Sequence, residues 1–310
     1  MKNPLVSVII PNYNHARYLD DRILSVLNQT YQNFEVIILD DKSTDNSLEV
    51  INKYRDNPHI SNIVVNEENS GSTFKQWHKG FELAKGDLIW IAESDDKCEK
   101  ELLETLLRFF EKEPRCVLAY TKSVMFRDSG VEIESCTENK SEILPGYNFI
   151  AERMSCGCAI VNASSAIFCR DVVLNIDKQY TSYKGAGDRL FWIEIAEQGY
   201  VGIDYHRLNL FRIHENNSTK RHYYEGINQK EDFRTFNYII GKGYLTEAQI
   251  RKAKRGYAKF CILSGRLAPE HKVEISNLWG LTLSDKIWVF YDNLKDIFKY
   301  KIKRLVISDK

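Results

Sequence analysis

No stretch of this 310-residue chain approaches the roughly 18 consecutive apolar residues that a membrane-spanning helix needs. The run Val8-Ile9-Ile10 is too short for the core of a signal peptide, and Pro11 stops it. A net electrostatic field is missing as well. Lys+Arg and Asp+Glu both number 43, so nothing points to nucleic acid as a partner. The seven cysteines are odd in number and only Cys156 and Cys158 are closely spaced. That excludes a zinc-type CxxC pair and a disulfide framework, and it implies a reducing cytoplasm. The chain also lacks internal repeats and low-complexity segments. What remains is an ordinary globular composition, 43% hydrophobic and 28% charged, sufficient for one large domain or a domain with an extension.

The most informative stretch is Gly86-Asp87-Leu88-Ile89-Trp90-Ile91-Ala92-Glu93-Ser94-Asp95-Asp96. Five apolar residues, Leu88 to Ala92, are too few for an ordinary helix and suit a strand buried on both faces. The strand then runs into three carboxylates within four residues. Ligands of open α/β sheets bind beyond the carboxyl ends of the strands, so this cluster falls where a site belongs. Adjacent aspartates stay ionised most easily beside a cation, and hard oxygen donors favour Mg²⁺ or Mn²⁺. The same pair would also serve simply to open the next helix.

The rest of the first half alternates in the same manner. Strands are expected at Leu5–Ile10, Phe34–Leu39 and Ile60–Val65, with helices over about 16–29, after Ser43-Thr44-Asp45-Asn46, and over about 73–84. This βαβαβαβ order predicts a Rossmann-like, mainly parallel sheet flanked by helices. A helix carrying Leu102, Leu103, Leu106, Leu107 and Phe110 follows, then strands at Cys116–Tyr120, Ser123–Phe126 and Ala166–Cys169. Residues 129–158 read as irregular. Gly185-Ala186-Gly187-Asp188 leads into an apolar helix stopped by Gly199, and extended segments follow at Val201–Ile203 and Leu208–Ile213. From about 224 the pattern is helical, with a break around 267–283.

Ser7-Val8-Ile9-Ile10-Pro11-Asn12-Tyr13-Asn14 followed by Gln29-Thr30-Tyr31 and Asp40-Asp41-Lys42-Ser43-Thr44-Asp45 resembles the opening of the inverting GT-A glycosyltransferases of family 2. Ala84-Lys85-Gly86-Asp87 with Glu93-Ser94-Asp95-Asp96 is similar to that family's strand into its metal motif. Gly187-Asp188 with Phe191-Trp192 resembles its catalytic segment, and Phe211-Arg212-Ile213-His214 its closing motif. The likeness covers about residues 5–216, with no family signal from about 224 onward. It implies a GT-A domain over 1–220 with a helical extension over 221–310.

The resemblance also implies roles. Pro11 and Tyr13 would lie at the nucleotide base, where a flat aromatic gains stacking area. Asp41 would accept the imide N–H of uracil. Asp96 would hold Mn²⁺ or Mg²⁺, with Asp95 beside it near the ribose. The ion would bridge the diphosphate and offset charge on the leaving nucleotide. His214 would complete the metal shell, Arg212 would touch the phosphates, and Asp188 would take the proton from the acceptor hydroxyl. The sequence departs from the family pattern at Glu93 (usually Asp), Lys42 (commonly Gly), Trp77-His78 (often Arg-Asn) and Gly187 (often Glu).

These observations converge on a cytoplasmic enzyme that moves a sugar, with inversion, from a nucleotide diphosphate donor, UDP-linked, to a glycan or lipid-linked saccharide of a cell-surface polysaccharide. A sugar nucleotidyltransferase would carry a glycine-rich loop where Pro11-Asn12-Tyr13-Asn14 stands. A non-catalytic sugar-nucleotide-binding protein would have no need of both Asp96 and Asp188. At the other end, Ile287, Trp288, Phe290, Tyr291, Leu294, Ile297 and Phe298 form an apolar face followed by Lys299, Lys301, Lys303 and Arg304. Such a helix either packs on the catalytic domain or contacts the inner face of the cell membrane peripherally.

Overall fold

The computed structural model describes residues 1–130, 132–134, 140–214, 218–263 and 266–308. The chain runs β1 (Val6–Asn12), α1 (Ala16–Leu27), β2 (Phe34–Asp40), α2 (Ser47–Asn52), β3 (Ile60–Val65), α3 (Thr73–Leu83) and β4 (Leu88–Ile91). Next come β5 (Lys97–Cys98), α4 (Leu102–Lys112), β6 (Cys116–Phe126), β7 (Glu132–Glu134), β8 (Glu142–Pro145) and α5 (Gly146–Phe149). A π-helical turn at Ile150–Met154 precedes β9 (Ala166–Cys169), α6 (Arg170–Val173), α7 (Gly187–Ala196) and β10 (Tyr200–Arg212). The helices α8 (Ser218–Tyr224), α9 (Ile227–Gly241), α10 (Glu247–Leu263), α11 (Pro269–Leu278) and α12 (Leu283–Ser308) follow.

Every residue of β1, β2 and β4 is buried, as expected of parallel strands covered on both faces. One ten-stranded sheet has the order β3-β2-β1-β4-β9-β6-β10-β5, with β7 beside β6 and β8 beside β10. The first four strands are mutually parallel, while β9 runs antiparallel to both β4 and β6. The β1–β2 register carries Asn12 to Asp40, and β4 ends beside Ile9, so three strand ends open at one edge.

Several expectations are corrected. The first strand does not stop at Pro11. It continues to Asn12, because β4 pairs with β1 only as far as Ile9, and the missing N–H removes no bond there. Cys116 to Phe126 is one strand rather than two, its irregularity matched by register shifts in β10, itself one strand where two segments were expected. The segment read as irregular contains β8, α5 and the π-helical turn, and the break expected around 267–283 contains α11.

The main core lies on both faces of the sheet. Phe81, Phe168, Phe191 and Trp192 meet there, with Phe81 stacked on Phe191 at 5.6 Å, which fixes α7 against α3 and β9. A second cluster, including Phe236, Tyr257, Ile275 and Trp279, joins α9, α10 and α11. Helix α9 serves both, since Ile239 belongs to the main core and Phe236 to the second.

Candidate active site

The loops after β1 and β2 are stitched to one another. Asn12 Nδ2 donates to Asp40 Oδ2 at 2.7 Å, Asp41 N–H to the Asn12 carbonyl at 2.8 Å, and Thr44 N–H to Asn14 Oδ1 at 2.7 Å. Lys42 holds the turn at φ 66°. The conformation that glycine adopts freely is thus kept, at a cost of about 1–2 kcal/mol for a side chain there. Asp40 faces inward and is fully buried, whereas Asp41 reaches a cleft of ≈ 390 Å³ shared with Pro11, Tyr13, Gln76, Glu93 and His214. Asp41 Oδ1 accepts from Asn66 (2.6 Å), Ser70 N–H (2.9 Å) and Gln76 (2.9 Å), while Oδ2 accepts from the Ser70 hydroxyl at 2.7 Å. The carboxylate is thereby held rigid. Tyr13 is 46% exposed on the rim of the cleft.

The adjacent aspartates have opposite surroundings. Asp96 is fully buried: Oδ2 accepts from Asn162 at 2.8 Å and Ser164 at 2.9 Å, and Oδ1 from the Arg212 N–H at 2.9 Å. Its countercharge is Arg22, also fully buried, 3.8 Å away and bonded through Nε to the Glu93 carbonyl at 2.8 Å. Burial, then the neighbouring Asp95, pushes the Asp96 carboxyl up to about 7. Both Asp96 oxygens thus accept from protein donors, with Arg22 as the nearby countercharge. Asp95 is the carboxylate that faces other ligand atoms. It lies 3.0 Å from His214 Nε2, and His15, Asp95 and His214 bring one ligand atom each within 4.8 Å of one another. Burial raises the Asp95 carboxyl, but the His214 hydrogen bond and the two imidazoles outweigh it and hold it below the usual range. Burial lowers His15, against the opposing pull of Asp95, and so favours the neutral imidazole that can ligate.

Arg212 is engaged within the protein. Its guanidinium donates to the Asp95 carbonyl and to Asp21, both at 2.8 Å, and to Asp128. It lies beside the rings of Tyr18 and Phe126, and its side chain is only 6% exposed. This arginine fastens β10 to the acidic turn rather than reaching toward a phosphate.

Two departures from the family pattern meet. Trp77 Nε1 donates to Glu93 Oε1 at 2.8 Å, a contact the longer glutamate side chain makes possible. Burial, then Asp95, pushes Glu93 up to about 8. Both residues also line a second cavity of ≈ 180 Å³, whose walls include Asp95 and Asp188. Glu93 and Thr73 border both cavities, so the two spaces adjoin.

Asp188 lies in the first turn of α7 and its Oδ1 accepts the Arg189 N–H at 2.8 Å. The cap position is Ala186, not Asp188. Desolvation raises the Asp188 carboxyl to about 7, against the pull of the Arg189 amide. Sequence reasoning missed Arg22, Asn162 and Ser164. Arg22 alone left a signal, a charge on the apolar stripe of Leu19, Ile23 and Val26.

A mixed sheet whose parallel strands open at their ends onto a carboxylate-and-imidazole cluster, with a second carboxylate across an adjoining cavity, has the architecture of a sugar transferase of the GT-A type. The fold matches residues 1–349 of S. aureus TarS in complex with UDP-GlcNAc (TM-score 0.68, 21% identity, 88% of this chain and 79% of that one). It also matches the mannosyltransferase PcManGT of Pyrobaculum calidifontis in complex with GDP-Man and Mn²⁺ (TM-score 0.54, 17% identity, 93% and 83%). The model of glycosyl transferase family 2 matches residues 7–169. TuaG of Bacillus subtilis, named as a teichuronic acid biosynthesis glycosyltransferase, is 36% identical over 198 residues, 64% of this chain and 74% of that protein. The chain belongs to glycosyl transferase family 2 and is a glycosyltransferase.

Proposed function

We propose that the protein transfers a sugar, with inversion, from a UDP-linked donor to a glycan or lipid-linked saccharide in cell-surface polysaccharide synthesis. The observation that carries this reading is the adjoining pair of cavities, one bordered by Tyr13, Asp41 and His214, the other by Asp188 and Asp95, with His214 and Asp95 3.0 Å apart. Tyr13 offers its exposed ring to the base, Pro11 forms the floor beside it, and Asp41 Oδ2 accepts the uracil imide N–H. Asp95 and His214, with His15, fit a divalent ion. A mixed imidazole and carboxylate set suits Mn²⁺ better than Mg²⁺. Such an ion, when bound, neutralises charge on the diphosphate. Asp188 takes the acceptor proton as that oxygen bonds to the anomeric carbon and the bond to the nucleotide breaks with its electron pair. We place the boundary of the catalytic domain near residue 221, with α9 shared.

A panel of nucleotide sugars tests the donor. Ligands that bind only the folded state raise the melting temperature. A UDP-sugar is expected to do so with Mn²⁺ and far less in EDTA, whereas a larger shift from GDP-mannose would refute the UDP assignment.

The acceptor reading extends to the membrane. No helix among the described residues is long and apolar enough to cross one. Helix α12 buries Val289 and pairs Asp292 with Lys259 at 2.7 Å and Asp285 with Arg255 at 4.0 Å. Its apolar residues Leu283, Ile287, Phe290, Tyr291 and Leu294 are left exposed, near Lys272 and Lys286. The side chains of Ile297, Phe298, Lys299, Lys301, Lys303 and Arg304 lie outside the described residues. This exposed apolar row favours peripheral contact with an anionic bilayer on its cytoplasmic face over burial against the catalytic domain. In flotation, the protein should rise with phosphatidylglycerol vesicles at low salt. Failure to do so removes the membrane reading.

A further inference from the structure

Adjacent carboxylates of α9 grip the chain on both sides of Asp188. Glu231 Oε1 accepts the Lys184 N–H at 2.7 Å, and its Oε2 accepts those of Gly185 at 2.9 Å and Ala186 at 2.8 Å. These three amides form the turn that leads to the cap residue Ala186 and on into α7. Glu231 reaches them from 45 residues further along the chain, and at 7% exposure its bonds to these amides are shielded from water. The following residue, Asp232, accepts from Arg189 Nη1 at 2.7 Å. Arg189, 1% exposed, donates in turn to the Met154 carbonyl at 2.7 Å and to the Tyr257 hydroxyl. Asp188 thus lies between two tethers. The contact is close as well: a Cβ at Gly185 would come within 2.0 Å of Asn228 Oδ1. Only a residue without a side chain at position 185 admits α9 this closely. Neither Glu231 nor Asp232 lines either cavity.

We infer that Glu231 is a positioning residue for proton removal: its carboxylate fixes the turn that aims Asp188 at the acceptor, so the helical C-terminal region takes part in the reaction. This rests on the reading of Asp188 as the base. A misplacement of about 1 Å can cost on the order of a hundredfold in rate. Glu231→Gln keeps the side-chain shape but sets an NH₂ group against backbone N–H groups. Glu231→Asp keeps the charge but falls short by one methylene.

Both variants, with Asp188→Asn in parallel, would be compared with the parent for UDP affinity in Mn²⁺, melting temperature, and kcat and KM for the UDP-sugar that the panel selects. For both, kcat is expected to fall roughly ten- to a hundredfold, with KM and UDP affinity within about threefold of the parent. A folded Glu231→Gln with kcat within about twofold of the parent overturns the proposal. So does a parallel loss of UDP affinity and kcat, or failure of both variants to fold, since the carboxylate would then be a folding element only. Parental turnover by Asp188→Asn would instead overturn the assignment of the base.

Discussion

Asp188→Asn is expected to fold, to bind UDP with Mn²⁺ as the parent does, and to transfer sugar at least about a hundredfold more slowly. The amide matches the carboxylate in shape and can still accept the Arg189 N–H, so helix α7 keeps its first turn. What disappears is the atom that takes the proton. Desolvation raises this carboxyl to about 7, which gives the substitution two further signatures. Only the ionised form is a base, so parental kcat/KM should rise with pH and level off above about 7. The variant's residual activity should lack that limb. Stability carries the opposite sign. A carboxyl whose folded value lies above its unfolded one favours folding in its neutral form, so the parent gains stability as pH falls from about 7 toward the unfolded value. Above that window the parent bears the cost of a desolvated charge and the variant does not. At pH 8 the variant's melting temperature should equal or exceed the parent's. Near-normal turnover would return Asp188 to a purely structural role.

Asp95→Ala and Asp96→Ala are expected to fail differently, although the residues are neighbours. Removing Asp95 takes a carboxylate from the cluster with His15 and His214 and should leave the fold intact. Calorimetry should find that the gain in UDP affinity from Mn²⁺, at least about tenfold in the parent (1.4 kcal/mol), is mostly gone. Asp96→Ala strands the buried Arg22 and leaves Asn162, Ser164 and the Arg212 amide without their acceptor. Breaking a buried pair of this kind costs about 3–5 kcal/mol, so urea unfolding should shift by that amount. A stable Asp96→Ala protein that has lost its metal response would restore the assignment made from sequence.

The contrast between these two neighbours marks the limit of what spacing conveys. The strands through β4 were legible because Val8-Ile9-Ile10, Val36-Ile37-Ile38 and Ile89-Trp90-Ile91 are apolar on both faces, a pattern few other elements share. Asp95 and Asp96 were legible as a pair, but not which of them turns inward. That depends on Asn162, Ser164 and Arg212, brought in by segments distant in sequence. Ala166–Cys169 read correctly as a strand, yet nothing in four apolar residues told its direction or its place between β4 and β6. Glu231 could not be seen at all. A glutamate within a polar helix has no local sign of the amides it meets 45 residues upstream.

The insertion of β9 between β4 and β6 also has a consequence in time. During synthesis, β1 to β4 can pair as soon as residue 91 is free, through short right-handed crossovers. Asp96 must then wait for Asn162 and Ser164, and longest for Arg212, 116 residues behind it. At ribosomal rates of about 5–20 residues per second that delay is on the order of ten seconds. Throughout it the nascent chain carries an open strand edge at β4 and, beside it, an aspartate that has its countercharge Arg22 but not yet its hydrogen-bond donors.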